Sequence, residues 1–297
     1  MRRVACAVMD QERDAETDQA EVPREERWAR SFGAVAAAYQ RGRPTYPTEG
    51  VRWLVGRDAA SVLELGAGTG KLTAELIAQG HDVLATEPDE DMLAVLRESL
   101  PAARTAVASA EELPAGDRSV DVVVAAQAFH WFDHDTALPE IARVLKPGGV
   151  LAVVWNFRDD KIPWVRRLGE LIGTQEQLSD PTEEIARSGL FEPVESQSFK
   201  HWQDINRDSV VDLVVSRSNI STLPDDERAA KVAEVLAFYD DFGRGYDGMQ
   251  LPYVTRCFRA RVIDRLGGQT APGSADDEQA GPPSDGSDSD MLLIDFR

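Results

Sequence analysis

From Ser61 to Trp155 short apolar runs alternate with helix-like segments, and this alternation constrains the fold more than any other feature of the chain. SVLEL (61–65), DVLAT (82–86), RTAVA (104–108), VDVVVAA (120–126) and GGVLAVVW (148–155) read as strands. Between them, Lys71–Gln79, Glu90–Leu100 and a segment from an Asp133 cap to Leu145 read as helices. Gly80 and Pro101 stop the first two. VDVVVAA is apolar at nearly every position, as a strand covered on both faces must be. Strands that alternate with helices over such short connections build a parallel sheet with helices on each side. The expected fold class is therefore α/β: a doubly wound, Rossmann-like, mainly parallel seven-stranded sheet with a helical insertion near the C-terminus.

The remainder of the chain sets the expected domain limits. Residues 1–26 are charged and without hydrophobic period, and are expected to form a flexible arm. A helix is expected over Glu26–Gln40, with Trp28, Phe32, Val35 and Tyr39 at helical spacing, and another over Glu49–Gly56. Beyond Trp155 helices are expected at Trp164–Thr174, Pro181–Ser188, Ser209–Ser218 and Asp225–Phe242. Strand-like pieces at Val194–Trp202 and Leu251–Ile263 supply the last two strands. The expected domain covers 27–266, with the insertion at about 203–248, and 267–297 reads as a disordered acidic tail.

Composition excludes several partners. The formal net charge of -20 repels nucleic acid and anionic lipid. Only Cys6 and Cys257 are present, which predicts two free thiols in a reducing compartment. No apolar run approaches the roughly 20 residues needed to span a bilayer, so a cytoplasmic protein with no membrane partner is expected, either a monomer or a homodimer. No histidine–carboxylate spacing calls for a metal.

The stretch VLELGAGTGKLT (62–73) carries the functional signal. A phosphate loop would need a glycine where Leu65 stands and a hydroxyl where Leu72 stands. A dinucleotide fingerprint would need its third glycine where Lys71 stands. The pattern E-x-G-x-G-x-G fits at every position, from Glu64 to Gly70. Glycines permit a sharp turn and close approach of a ligand, and the helix that follows offers free N–H groups to an anion.

In these residues the sequence resembles the class I S-adenosylmethionine-dependent methyltransferases. The similarity runs from about Phe32 to about Asn156 and extends to FGAVAAAYQRGRPTYP, LATEPDEDML, ASAEELP, AAQAFHWFD and RVLKPGGVLAVVWN. It resembles most the type 11 small-molecule subgroup, including trans-aconitate-methyltransferase-like proteins. The resemblance implies S-adenosylmethionine as cofactor. Its aminoacyl end would lie over Gly66, Ala67, Gly68, Thr69 and Gly70, with Glu64 facing the amine. Glu87, with Pro88 beside it, would take the ribose hydroxyls, and Ala110 and Glu111 the adenine. Gln127 and Ala128 would close over the methionine part. In the subgroup a tyrosine and an arginine before the core approach the pocket, which here are Tyr39 and Arg43.

His130, between Phe129 and Trp131, is the candidate catalytic base, with packing in an aromatic wall as its structural alternative. A carboxylate acceptor would need a cationic clamp instead, for which Arg43 is a candidate. Trp155 and Trp164 are candidates for a pocket wall or for core. His81 and His134 read as surface loop residues. The expected function is methyl transfer to a small-molecule acceptor at oxygen by in-line displacement. The alternatives are an NAD(P)-binding oxidoreductase and a non-catalytic S-adenosylmethionine-binding module.

Overall fold

A computed structural model describes residues 38–173, 180–242 and 248–264. The expected arm and acidic tail lie outside the described residues, as do Cys6 and most of the helix expected over Glu26–Gln40; residues 38–42 of that helix are described and helical.

Seven strands form one sheet: β1 (Ser61–Leu65), β2 (Asp82–Thr86), β3 (Arg104–Ala106), β4 (Val120–Ala126), β5 (Leu145–Arg158), β6 (Glu195–Ile205) and β7 (Met249–Arg261). Their order is β3-β2-β1-β4-β5-β7-β6. The pairings from β3 through β5 are parallel, and β7 runs antiparallel between β5 and β6. The strand order reverses between β1 and β4. In such sheets the two connections leave in opposite directions there and open a crevice at the carboxyl ends.

Helices cover both faces. They are α1 (Thr48–Val55), α2 (Lys71–Ala78), α3 (Glu90–Ser99), α4 (His134–Val144), α5 (Pro163–Ile172) and α6 (Thr182–Ser188). Between β6 and β7 lie α7 (Arg207–Val215), α8 (Ser218–Ser221) and α9 (Asp225–Phe242). The two-residue period of the strands divides the core. Leu63, Val123, Ala125, Leu151 and Val153 pack on one face with Leu138 and Ile141 of α4. Val62, Val122, Val124, Ala152 and Val154 pack on the other with Val51 and Leu54 of α1 and Leu72 and Leu76 of α2. Glu64, Asn156 and Arg158 share this second face by the same alternation. α5, α7 and α9 bury Leu168, Leu213 and Val235 in a separate cluster with Leu251 and Tyr253 of β7.

Several expectations are corrected. β3 ends at Ala106, not at 108, and Val107 is exposed beside this edge strand. β5 is longer than its apolar run at both ends. Leu145 pairs with Val120 across a register shift, and β7 holds the ladder as far as Arg158, opposite Tyr253. Polar Asn156 and Arg158 hid this extension from a hydropathy reading. His81 is buried, because left-handed Gly80 turns the chain back under α2. His134 begins α4, its ring stacked on Phe129 and Nε2 2.9 Å from the Phe129 carbonyl oxygen. Asp133 occupies the N-cap of α4, but its carboxylate accepts the Thr136 hydroxyl (2.8 Å) in place of a helix N–H. Trp155 is core, edge-on to Phe129 and Phe258, and Trp164 packs against the α5–α7 cluster. Cys257 is a buried free thiol, its pKa pushed up to about 12 by burial.

Candidate active site

The chain leaves the carboxyl end of β1 through Gly66, Gly68 and Gly70, with φ of 64°, 55° and 88°. All three are left-handed, a region that costs other residues roughly 1–2 kcal/mol. A Cβ on Gly66 would lie 2.6 Å from Cβ of Ala128, and one on Gly70 2.7 Å from Leu96 Cγ. Gly68 differs: a Cβ there meets nothing within 4 Å. The first and last glycines are thus required by packing, and the middle one keeps a space open. Gly70 is the N-cap of α2, and the Ala67 N–H ties the turn to β2 through the Thr86 carbonyl at 2.9 Å.

Two carboxyl groups meet this turn. Gly68 donates its N–H to Glu87 Oε2 at 2.9 Å, and the Asp89 N–H reaches Glu87 Oε1 at 3.1 Å. Burial raises Glu87 above its ordinary carboxyl value, against these two bonds. Glu64, on the second face of β1, is almost wholly buried and accepts the Thr73 hydroxyl at 2.6 Å. Burial pushes its pKa up to about 8, and the neighbouring Glu87 adds to the rise. Lys71, in the first turn of α2, is brought down to about 8 by burial.

Across the crevice β4 is followed by Gln127, a non-glycine residue at φ 58°. Such strain persists where the surroundings impose it, often at binding sites. The Gln127 N–H bonds to the Val154 carbonyl, and its side chain donates to the Asn156 carbonyl at 3.3 Å. Asn156 in turn donates to the Thr45 carbonyl (3.0 Å) and accepts the Thr255 hydroxyl (2.6 Å).

Residues 39–46 strap the crevice to the helical insertion. Arg41 forms a bidentate pair with Asp212 of α7, both bonds at 2.8 Å. Arg43 lies over the Tyr39 ring and donates to the Ser216 hydroxyl and carbonyl, each at 3.2 Å. A Cβ on Gly42 would lie 2.4 Å from the Leu213 backbone nitrogen, so the strap crosses α7 backbone on backbone. Behind it the Thr69 hydroxyl donates to Gln40 Oε1 at 2.7 Å.

These elements enclose a cleft of about 600 Å³, including its open mouth. Of the residues expected at a site, Tyr39, Arg43, Glu64, Gly66, Ala67, Gly68, Thr69 and Gln127 line it. Gly70, Glu87 and Ala128 stand just behind these, Glu87 bonded to Gly68 and Ala128 packed against Gly66. Exposed Pro88 and the loop residues Ala110 and Glu111 do not line the cleft. Glu111 accepts the Asp133 N–H at 3.0 Å; burial raises its pKa, but this bond and others outweigh it and hold the carboxylate low. His130 sits on a 3-10 turn, Phe129–Trp131, beside the exposed Trp131 ring and away from the cleft lining. Sequence reasoning missed Asn156, Arg158, Leu213 and Tyr253, which share the lining with Pro44, Tyr46, Lys71, Leu72 and Ala126. Only the strand alternation that sets Asn156 and Arg158 on the face of Glu64 pointed to any of them.

A mostly parallel sheet with a glycine turn at its reversal point, an acid on the next strand and a strapped cleft defines a Rossmann-like enzyme of the nucleoside-binding kind. Residues 63–153 match the family described as a methyltransferase domain. The chain is 44% identical over 236 residues to an uncharacterized methyltransferase of Mycobacterium tuberculosis, covering 78% of this chain and 96% of that one. It is 40% identical over 141 residues to a malonyl-[acyl-carrier protein] O-methyltransferase of Methylococcus capsulatus, 43% of this chain and 51% of the other. A crystal structure of a putative type II methyltransferase from Anaeromyxobacter dehalogenans is 26% identical, with a TM-score of 0.51 over 74% of this chain and 97% of that one. The chain belongs to the class I S-adenosylmethionine-dependent methyltransferases. The oxidoreductase alternative falls with this assignment, as Lys71 at the position of the third fingerprint glycine already indicated. Among the described residues no helix is long and apolar enough to cross a membrane.

Proposed function

We propose that the protein methylates a small-molecule acceptor at oxygen by in-line displacement. The observation that carries the reading is the open side of Gly68, a left-handed residue of the cleft lining where an added Cβ would meet nothing within 4 Å. The residues fit the cofactor. The open Gly68 position leaves room for an aminoacyl group, and a buried carboxyl with pKa near 8 is suited to meet an ammonium group.

When bound, S-adenosylmethionine supplies an electrophilic methyl on a sulfonium, so the protein's task is to bind, orient and exclude water. Glu64 would face the amine. The Gly66–Gly70 turn and the first turn of α2 would offer N–H groups to the carboxylate. Glu87, held by Gly68, has lone pairs left for the ribose hydroxyls. Pro88, Ala110, Glu111 and Ala128 would complete the nucleoside and methionine walls. Tyr39 and Arg43, pinned by Ser216, would keep water from the reacting atoms.

An enclosed cleft between the sheet and the strap suits a small acceptor, and the net charge of -20 argues against nucleic acid. The similarity to a malonyl-[acyl-carrier protein] O-methyltransferase supports oxygen as the target. His130 is given no step, because its ring is not part of the cleft lining.

Calorimetric titration with S-adenosylhomocysteine and with NAD tests the cofactor reading: the first should bind and the second should not. Label from methyl-labelled S-adenosylmethionine should then pass to the dialysable fraction of a bacterial metabolite extract. Tight cofactor binding with no transfer to any acceptor would support a non-catalytic module and refute this proposal.

A further inference from the structure

The cleft contradicts the charge of the molecule around it. The chain carries 52 acidic and 32 basic side chains. Yet among the described residues Arg43, Lys71 and Arg158 line the cleft, against one carboxyl, Glu64, whose burial favours its neutral form. The cations are concentrated at one end. Arg158 is 6% exposed and Arg217 9%, and both bear electrostatically on the Tyr253 hydroxyl together with Arg43. Tyr253 is the cross-strand partner of Arg158 in the β5–β7 ladder. Arg158 donates to the Gly173 carbonyl at 3.0 Å, and Asp160 is an acid that acts on it. Desolvation nonetheless lowers the Arg158 pKa, so burial outweighs that acid.

This end is distinct from the glycine turn. The last residue of β5 paired with β4 is Val154, opposite Ala126. Arg158 lies four residues further along the strand, a rise of about 13 Å. The glycine turn has its own nearby cation, Lys71.

We infer that Arg158, with the Tyr253 hydroxyl and Arg43, forms the acceptor subsite and that the acceptor is a carboxylate. This rests on the methyltransferase reading and names its substrate class. A guanidinium fork matches a carboxylate in plane and spacing, and the pairing is strongest where water is excluded. A carboxylate also needs no base, in keeping with the position of His130. Its oxygen gives a lone pair to the methyl carbon, the carbon–sulfur bond breaks with its pair passing to sulfur, and no proton moves. The product is a neutral ester and a neutral thioether. Methylation removes the charge that Arg158 recognises, so the ester is held less tightly than the acid.

The test uses full-length protein saturated with S-adenosylhomocysteine, so that the cofactor end is filled. Acetate, malonate, benzoate and decanoate, and their primary amides, are titrated by ligand-observed NMR. At least one acid should bind more than tenfold tighter than its amide. Arg158→Gln should lose at least tenfold of that acid's affinity while S-adenosylhomocysteine affinity stays within twofold. Arg158→Lys, which keeps the charge, should restore part of the preference and guards against misreading a folding defect.

Equal binding of acids and amides, or no binding of either, overturns the inference. Acid binding that competes with S-adenosylhomocysteine overturns it too, by assigning Arg158 to the cofactor's carboxylate. Failure of S-adenosylhomocysteine itself to bind is a separate result, and it refutes the underlying methyltransferase site.

Discussion

Glu87 holds Gly68: the carboxylate accepts the glycine's N–H at 2.9 Å, across 19 positions of chain. The bond joins the end of β2 to the middle of the turn that follows β1. Removing the carboxylate leaves the turn without its acceptor and, on the proposed function, removes the ribose contact. Hydrogen bonds to charged groups contribute about 1.5–3 kcal/mol. Glu87→Ala should therefore weaken S-adenosylhomocysteine binding about tenfold to a hundredfold and lower the melting temperature by a few degrees. Calorimetry and thermal melts would check both halves.

Gly66 and Gly68 should respond differently to alanine. Both replacements incur the left-handed penalty of about 1–2 kcal/mol. At Gly66 the new methyl also strikes Ala128, so Gly66→Ala should destabilise the fold further. At Gly68 the protein leaves the space open. Gly68→Ala should lose less stability than Gly66→Ala but at least tenfold in S-adenosylhomocysteine affinity. Denaturant unfolding beside calorimetry separates the two.

The Glu64 carboxyl gives a pH dependence whose sign is opposite to the usual carboxylate case. Its pKa is about 8 in the folded protein against 4.5 for the ordinary side chain. Between these values the folded state holds the proton and the unfolded state does not. Its contribution to stability is full below 4.5 and is lost as pH rises through 8. Wild type should therefore lose stability relative to Glu64→Gln between pH 5 and pH 8. An ammonium ligand has the opposite effect on the group, since it favours the ionised form. S-adenosylhomocysteine binding should release a proton at pH 7, and the release should vanish in Glu64→Gln. Calorimetry in buffers of different ionisation enthalpy measures it.

Gly42 is required by packing alone, because its backbone carries no positive φ. A methyl there would meet the backbone of Asp212 and Leu213 at 2.4–2.8 Å. Gly42→Ala should lift the strap from α7 and lower methyl-transfer activity at least tenfold, while far-UV circular dichroism stays unchanged. An unaltered rate would show that the strap takes no part in enclosing the site.

His130→Ala should keep methyl-transfer activity within about fivefold of wild type, since the proposed acceptor brings no proton to remove. A loss of a hundredfold or more, with the acid limb of the pH profile flattened, would restore the imidazole as a base.

The sheet and the glycine turn were legible because each rests on local pattern. VDVVVAA can only be buried, and E-x-G-x-G-x-G states a backbone requirement residue by residue. The acceptor end was not legible, because nothing local marks it. Asn156 and Arg158 look like the end of an apolar strand until Thr255 and Tyr253 are set opposite them. Leu213 reads as ordinary helix core, and only the crossing of Gly42 brings it to the cleft. His81 was misread because one histidine between a helix and a strand says nothing of depth. His130 attracted attention by its chemistry, and the turn that holds it places it elsewhere.

The antiparallel hairpin has a consequence for how such a protein can change. With S-adenosylmethionine as donor, the grip on it comes mostly from main chain, at a turn where few substitutions are tolerated. On the inference above, the acceptor meets side chains gathered from three places: Arg158 at the end of β5, Tyr253 of the late-joining hairpin and Arg43 of the strap. Specificity would thus be recombined only by exchanging the strap and residues 158–264 together, and selection could retune these pieces without disturbing the glycine turn.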